Sequence, residues 1–359
     1  MVKHVLIAAG GTGGHVYPAL AVADYMREKN IKVTWIGTEK GLEHRVVPDA
    51  GIQLEIISIS GLRGKGILNL FLVPMKLIVA IVQVIKIFLR VKPDAVLGMG
   101  GFVSGPCGIA AYLLRKPLYL HEQNAIPGLT NKVLSYFSTK AMQAFPGSLK
   151  TKKNIIVTGN PVRKDISEIA EPEKRMSARD DSIRLLIVGG SLGAQALNET
   201  VPQALSEFES NLLPNIWHQT GKDKLEATLE NYKKVNIDAK VTEFIENMAE
   251  AYEWADLVIC RAGALTVSEL ANAGVAAILV PYPYAVDDHQ TANAKYLTDV
   301  NAAILIQQNE LMPRLKEVLT ELLQAGRTKL TDMAKAARTL SKPDATKTVA
   351  EICLGVSHG

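Results

Sequence analysis

Short apolar runs rich in β-branched residues alternate along the chain with longer segments of helical periodicity. This alternation is typical of βαβ units and parallel sheets, and it occurs twice. The first half supplies predicted strands at 5–9, 32–36, 54–57, 95–98, 118–121 and 140–142, and the second half at 184–188, 216–219, 240–242, 257–260 and 276–280. The pattern therefore predicts an α/β protein of two domains, each with a parallel sheet.

The length of 359 residues agrees with this, because it exceeds what one ordinary core needs and fits two domains. We place the boundary near Asn160, and we interpret 167–181, which is charged and weakly periodic, as the connection. The predicted domains are 1–160 and 161–342. Residues 343–359 hold a last helix that could pack back on the first domain.

The charge differs between the two halves. Up to Asn160 there are 19 Lys and Arg against 8 Asp and Glu, and after it 21 against 28. This asymmetry indicates that the first half meets a phosphorylated ligand, a membrane surface or nucleic acid, although a basic half also simply favours solubility. The three cysteines lack metal-site spacing and the N-terminus does not resemble a signal peptide, so we expect a cytoplasmic protein.

One segment, 67–89, has the composition of a membrane-contacting helix, and its 23 residues could span a bilayer. Pro74 and Gln83 interrupt it, as do Lys76 and Lys86, whose burial in hydrocarbon would be costly. The basic residues in and around it are Arg63, Lys65, Lys76, Lys86 and Arg90. We therefore predict an amphipathic helix on an anionic membrane surface. A helix buried between domains or against a sheet is the alternative.

Three glycine-rich turns each follow a predicted strand and precede a helix: GGTGGH at 10–15, GMGGFVSGP at 98–106 and GGSLGA at 189–194. Glycines let backbone N–H groups approach a phosphate, and the following helix adds partial positive charge at its start. At the carboxyl ends of parallel strands such turns open toward one crevice. They predict an anionic ligand, although any one of them could be only a tight turn. Ser191 could donate to a diphosphate or cap the next helix.

Two further segments carry polar groups suited to a sugar nucleotide. RAGALTVSE at 261–269 runs from a strand into a helix, where Glu269 could accept both hydroxyls of a ribose or complement the helix dipole. The loop at 281–293 is rich in polar side chains, which could bind sugar hydroxyls or be solvated. Val16 stands where a dinucleotide fingerprint has its third glycine, so a nicotinamide cofactor is disfavoured. The sequence motifs of zinc hydrolases, serine hydrolases and P-loop kinases are absent.

Taken in order, the motifs resemble the MurG family of N-acetylglucosaminyltransferases. The resemblance rests on GGTGGHVYPALAVA at 10–23, SGLRGKG at 60–66, GMGGFVSGP at 98–106, HEQNAIPGLTNK at 121–132, GNPVR at 159–163, GGSLGA at 189–194, EFIENMAEAY at 243–252, RAGALTVSE at 261–269 and DDHQTANA at 287–294. It implies a GT-B fold, in which two Rossmann-like domains face a central cleft. It also implies inverting transfer of N-acetylglucosamine from UDP-N-acetylglucosamine to the C4 hydroxyl of the muramyl sugar of lipid I, which gives lipid II in peptidoglycan synthesis.

The resemblance also implies which residues bind the donor: Thr12, Gly13, Gly14, Asn124, Arg163, Ser191, Ile245, Ala264, Leu265, Thr266, Val267, Ser268, Glu269 and Gln290. The first two glycine turns lie in the basic half, and we expect them to hold the acceptor diphosphate through Gly11, Gly100, Gly101 and Ser104. We expect no metal or other cofactor, and no nucleic acid as a partner. The expected location is peripheral, on the cytoplasmic face of the membrane, where cell-wall synthesis proteins could be partners.

The chain departs from the family pattern at two places. Phe102 replaces a tyrosine, so that phenol hydroxyl is not essential here or is replaced by water. The loop between Val280 and Asn293 is one residue longer, which leaves His289 and Gln290 both open as the donor contact.

Inversion by single displacement needs a base for the acceptor proton and stabilisation of the departing UDP. A neutral imidazole, with a reference pKa of about 6.5, makes His15 the first candidate base. His15 could instead hold the acceptor diphosphate, which would leave Glu122 or another group as the base. Arg163 and the helix after Ser191 would stabilise the leaving diphosphate.

Other functions remain open on the sequence alone. Another UDP-sugar enzyme of the same fold, a glycolipid transferase or a UDP-N-acetylglucosamine 2-epimerase, is one alternative, and the HEQN and GNPVR segments argue against it. A Rossmann oxidoreductase and a sugar-nucleotide-binding protein without catalysis are the others.

Overall fold

The computed structural model describes residues 2–59, 67–150, 155–177, 179 and 182–356. The chain forms two compact units, Met1–Val162 with Asp344–Gly359, and Arg163–Pro343. The motif at 60–66 lies outside the described residues, and with it Arg63 and Lys65.

The first unit is built on a parallel sheet. Within the described ranges its strands are β1 (His4–Ala8), β2 (Lys32–Gly37), β3 (Gln53–Ile56), β4 (Ala95–Gly98), β5 (Leu118–Glu122), β6 (Lys140–Gln143) and β7 (Ile155–Val157). Their order is β3-β2-β1-β4-β5-β6-β7, and each neighbouring pair is parallel. Every residue of β1 and β4 is buried, which explains their continuous apolar sequence.

Helices cover both faces of this sheet: α1 (Gly13–Glu28), α2 (Glu43–Asp49), α3 (Ile67–Val91), α4 (Ser104–Leu113) and α5 (Leu129–Leu134). Alternate residues of β1 belong to different cores, because Val5 and Ile7 pack with α1, whereas Leu6 packs with α3 and α4. Among the helices in the described part of the chain, none is long and apolar enough to cross a membrane.

The second unit repeats the plan. Its described strands are β8 (Arg184–Val188), β9 (Asn215–Gln219), β10 (Lys240–Thr242), β11 (Leu257–Cys260), β12 (Ala276–Leu279) and β13 (Ala303–Leu305), in the parallel order β10-β9-β8-β11-β12-β13. Its helices include α6 (Lys164–Ser167), α7 (Pro172–Ser177), α8 (Gln195–Leu205), α9 (Leu225–Lys234), α10 (Met248–Trp254), α11 (Ala264–Ala273), α12 (His289–Thr298) and α13 (Leu311–Arg338).

The charged stretch at 167–181 is not a free connection, so that interpretation is wrong where the stretch is described. It includes all of α7, and Met176 of that helix is part of the core of the second unit. Arg175 is buried and donates to the carbonyl oxygens of Ala273 and Gly274, at 3.0 and 2.6 Å. Arg175 thus provides hydrogen-bond donors for the carbonyl oxygens at the end of α11. Local periodicity does not reveal this contact, because the residues are far apart in the sequence.

The last helix, α14 (Ala345–Leu354), belongs to the first unit. Val349 and Cys353 share a core with Val16 of α1, and the hydroxyl of Tyr25 donates to Glu351 Oε1 at 3.1 Å. With a doubly wound parallel sheet in each unit, the predicted fold class of two Rossmann-like α/β domains is confirmed.

Candidate active site

The first two glycine turns meet at one edge of the first sheet. The chain leaves β1 toward β2 and β3 and returns on the other side to β4, so the strand order reverses beside β1, where open α/β sheets bind ligands. The first glycine loop (residues 9–14) follows β1, and the second glycine loop (residues 99–103) follows β4. A Cβ on Gly101, whose φ is +79°, would lie 2.2 Å from the carbonyl oxygen of Gly10. The loops can touch only because residue 101 is glycine.

His15 lies between these loops, in the first turn of α1, and is half-buried. Its ring packs against Gly100, where a Cβ would come within 2.5 Å of His15 Cδ2. Its Nδ1 lies 3.5 Å from Thr12 Oγ1. Gly13 and Gly14 begin the same helix, so their N–H groups lie at the end of α1 that favours an anion. The structure therefore brings the predicted imidazole and the predicted anion-binding backbone together.

Two residues expected at the acceptor diphosphate use their polar groups inside the protein. The N–H of Gly11 donates to Glu43 Oε2 at 2.9 Å. The buried hydroxyl of Ser104 accepts from the N–H of Gly100 at 3.0 Å, and it lies 3.0 Å from the carbonyl oxygen of Ala8. Both groups hold the loops in shape and are not free for a ligand.

Glu43, which the sequence did not single out, fixes the first glycine loop from behind. Its fully buried carboxylate also accepts from the N–H of Thr38 at 2.8 Å and from the Thr38 hydroxyl at 2.9 Å. Three glycines leave room for this side chain, because a Cβ on any of them would lie within 2.7 Å of it: Gly10, Gly37 and Gly41. The sequence does show a carboxylate after these glycines. Its role in holding the first glycine loop becomes visible only when the fold places α2 beside the loop that follows β1.

Glu122 ends β5, and its side chain is buried. It accepts from the N–H of Asn124 at 2.9 Å, the N–H of Gly128 at 3.2 Å and the amide of Asn131 at 3.0 Å. Burial raises the pKa of Glu122, and these donors oppose that rise. The arrangement suits a residue that shapes the loop after β5. His121 beside it is also buried, which lowers its pKa to about 4 and keeps the ring neutral.

In the second unit the strand order reverses beside β8, and the third glycine loop (residues 189–193) follows that strand. Gly190 and Gly193 have φ values of 81° and 72°, which glycine adopts without strain. Ser191 is exposed in this loop. Because α8 begins only at Gln195 and has no side-chain cap, the alternative capping role of Ser191 is wrong.

Glu269 lies in the second turn of α11, which follows the other strand at this reversal, β11. Its side chain is buried, and the hydroxyl of Tyr252 donates to Oε2 at 3.0 Å. Burial raises the pKa of Glu269 to about 7, and the charge of Arg163 and the Tyr252 hydrogen bond oppose the rise. A buried second-turn carboxylate does not fit the alternative role of complementing the helix dipole, which acts within the first turn.

The other residues expected at the donor differ in exposure. Ile245, Ala264, Val267 and Ser268 are buried, Leu265, Thr266, Asn124 and Gln290 are half-buried, and Arg163 is exposed. The side-chain oxygen of Gln290 accepts from the N–H of Tyr282 at 2.9 Å, while His289 Nδ1 lies 2.8 Å from the carbonyl oxygen of Val286. Across the described ranges, no three His, Cys, Asp or Glu side chains group as a metal site requires.

Two family models match the chain: the glycosyltransferase family 28 N-terminal domain over residues 5–143 and the glycosyltransferase family 28 C-terminal domain over residues 184–349. A relative from Marinobacter nauticus is 50% identical over 360 residues, which cover 99% of this chain and 98% of the relative. That protein is named UDP-N-acetylglucosamine--N-acetylmuramyl-(pentapeptide) pyrophosphoryl-undecaprenol N-acetylglucosamine transferase.

Solved structures also resemble this chain. The crystal structure of Acinetobacter baumannii MurG is 42% identical with a TM-score of 0.85, and the match covers 98% of this chain and 99% of that one. A UDP-GlcNAc 2-epimerase from Neisseria meningitidis matches with a TM-score of 0.67 at 14% identity, over 98% of this chain and 100% of that one. The second likeness is one of fold alone.

Proposed function

The chain belongs to glycosyltransferase family 28, and on that premise we propose that it transfers N-acetylglucosamine from UDP-N-acetylglucosamine to the N-acetylmuramyl-pentapeptide of lipid I, which forms lipid II. The observation that carries this proposal is 50% identity, over nearly the whole chain, to a relative named for the reaction. The glycine loops at the two strand-order reversals support it, because a donor diphosphate and an acceptor diphosphate each require such a site.

The second unit would bind the donor. Glu269 would accept the ribose hydroxyls, and the third glycine loop with Ser191 would hold the diphosphate at the amino end of α8. Arg163, whose charge reaches Glu269, would add positive charge for the departing UDP. The remaining proposed donor contacts in this unit are Ile245, Ala264, Leu265, Thr266, Val267, Ser268 and Gln290.

The first unit would bind the acceptor. The backbone of Gly101 and the start of α1 would hold its diphosphate, while Gly11, Gly100 and Ser104 would support these loops, since their polar groups are already paired. His15 is the proposed base. Its half-buried ring lies between the two loops, and a neutral imidazole accepts a proton readily near neutral pH.

Glu122 is the weaker candidate for the base. Several donors already occupy its carboxylate, so taking a proton would break the hydrogen bonds that shape the loop after β5. We therefore propose that Glu122 supports the site and that His15 performs the proton transfer.

We also propose that the first unit binds the surface of an anionic membrane through α3. Met75, Ile78 and Val82 lie on one helical face and are 65%, 61% and 45% exposed. Lys76 and Lys86 are exposed on the same helix, where they could meet lipid phosphates. Cosedimentation with anionic liposomes tests this, and Ile78→Asp should release the protein if the face is inserted.

The transfer reaction is tested by incubating the protein with UDP-N-acetylglucosamine and lipid I and measuring UDP release together with the disaccharide product. A matched acceptor whose muramyl C4 hydroxyl is blocked serves as the control. UDP release that requires the free hydroxyl is the expected result. UDP release with a 2-epimerised sugar and no acceptor would instead indicate an epimerase and overturn the proposal.

A further inference from the structure

An apolar groove runs along α4 on the first unit. It encloses about 360 Å³, and the residues in its wall include Phe102, Gly105, Ile109, Tyr112, Val133 and Phe137. None of the described side chains that line it is charged, and Thr130 supplies a hydroxyl. Between Ser104 and Tyr112 the helix α4 rises about 12 Å, so the groove has the length of a short extended chain.

Local sequence explains this shape. A Cβ on Gly108 would lie 2.6 Å from the side chain of Leu134, so α4 and α5 approach closely there. Gly105, one turn earlier, has no side chain to fill the hollow above that contact. Tyr112 and Phe137 meet edge to face with their centroids 5.5 Å apart, at the end away from the second glycine loop. The result is an apolar groove that extends from Phe102, in the second glycine loop, to Tyr112 and Phe137.

We propose that this groove binds the first isoprene units of the acceptor's polyprenyl chain. The inference rests on the proposed function, in which Gly101 of the second glycine loop holds the acceptor diphosphate. A polyprenyl chain is esterified directly to that diphosphate, so its first carbons must lie within a few bonds of this loop. Phe102 follows Gly101 and lines the groove, so one end of the groove lies where the polyprenyl chain would begin.

The shape and chemistry of the groove favour this occupant. A concave channel accepts a single chain, whereas the convex apolar face of α3 suits the surface of a bilayer. Muramyl sugar and peptide need hydrogen-bonding partners, and this lining offers few. A branched hydrocarbon needs only apolar contact, which the lining provides along its length.

The test uses two water-soluble acceptors that share the muramyl-pentapeptide diphosphate and differ only beyond it: one ends in a methyl ester and the other in a two-unit isoprenyl chain. Turnover is measured without detergent or membrane. We expect the isoprenyl acceptor to have a KM lower by about tenfold or more, because burial of two methylene groups has an effect of that size. The kcat should differ little, since the chain lies away from the reacting hydroxyl.

Ile109→Trp should fill the groove and erase this difference in KM while leaving the methyl acceptor unaffected. Leu113→Trp is the matched control, because Leu113 lies one turn further along α4, is 58% exposed and does not line the groove. If Ile109→Trp fails to fold, Val133→Asp places a charge in the same groove from the half-exposed face of α5. Unchanged turnover of the methyl acceptor verifies that the first unit of each variant is folded.

Equal KM values for the two acceptors in the unmodified protein would overturn the groove proposal and leave the proposed function intact. An isoprenyl preference that survives in both groove variants would also overturn it, because the chain would then bind elsewhere. Failure to use either acceptor, together with failure to use lipid I itself, would instead count against the proposed function.

Discussion

Binding of UDP-N-acetylglucosamine should weaken as the pH falls below 7, because Glu269 then loses the charge with which it would accept the ribose hydroxyls. Burial raises the pKa of this carboxyl to about 7. With that pKa, roughly a tenth of the carboxyl groups are ionised at pH 6 and nine tenths at pH 8. If only the carboxylate binds the ribose, the Kd should rise about tenfold from pH 8 to pH 6.

Acid unfolding would also weaken donor binding at low pH. The sign of the change in stability distinguishes it from protonation of Glu269. A folded-state pKa above the unfolded value means that this group's contribution to stability is fully present below about pH 4.5 and is lost as the pH rises through 7. Lowering the pH from 8 to 6 should therefore stabilise the free protein through Glu269, relative to Glu269→Gln, while donor binding weakens.

Isothermal titration calorimetry with the donor alone is the appropriate assay, because no catalytic base takes part in simple binding. Glu269→Gln should bind weakly at every pH. Tyr252→Phe should move the midpoint to higher pH, since its hydroxyl stabilises the carboxylate. Tyr232→Phe is the matched control, because that buried hydroxyl pairs with His218 instead. A Kd in the unmodified protein that is constant from pH 6 to pH 8 would refute the assigned role of Glu269.

Three further predictions concern the first unit. Glu43→Gln should destabilise it by about 2 kcal/mol in urea unfolding and lower turnover, because an amide cannot accept on both sides; unchanged turnover would refute a role in positioning the loop. Gly101→Ala should destabilise the protein by more than about 2 kcal/mol, because the new Cβ would lie 2.2 Å from the carbonyl oxygen of Gly10. Gly14→Ala should add up to about 1 kcal/mol of stability yet impair substrate binding. Equal Tm values for the two variants would contradict this prediction. His15→Ala should lower kcat at saturating acceptor by about 10²-fold or more, whereas Glu122→Gln should mainly lower Tm; an unchanged kcat in His15→Ala would exclude it as the base.

Much of the fold could be predicted because its signals are local. The eleven predicted strands correspond to strands of the structure, since buried parallel strands appear as continuous apolar runs. The structure adds β7 and β13, each of three residues. The glycine loops were equally visible, because a turn between a strand and a helix depends on neighbouring residues.

What the sequence could not reveal depends on contacts between distant positions. Glu43 and Gly11 are 32 residues apart, and only the pairing of β1 with β2 brings them together. Ser104 has the composition of a ligand-binding residue, yet its hydroxyl is 96 residues from the carbonyl of Ala8 that it contacts. Such polar groups appear available in a sequence, because their internal partners are unknown until the sheet has formed.

The glycines of the loops divide into two classes that the sequence does not separate. A Cβ on Gly10 or Gly101 would overlap another part of the chain, so these glycines permit internal contacts. A Cβ on Gly190 would meet no atom of the described chain within 4 Å, and one on Gly14 would have its nearest neighbour, in Thr12, at 3.8 Å. Glycines of the second class face space that a ligand can occupy. Both kinds stand within five residues in the first glycine loop, so the motif alone supports a tight turn and an anion site equally, and the case for a ligand depends on Gly14 and Gly190.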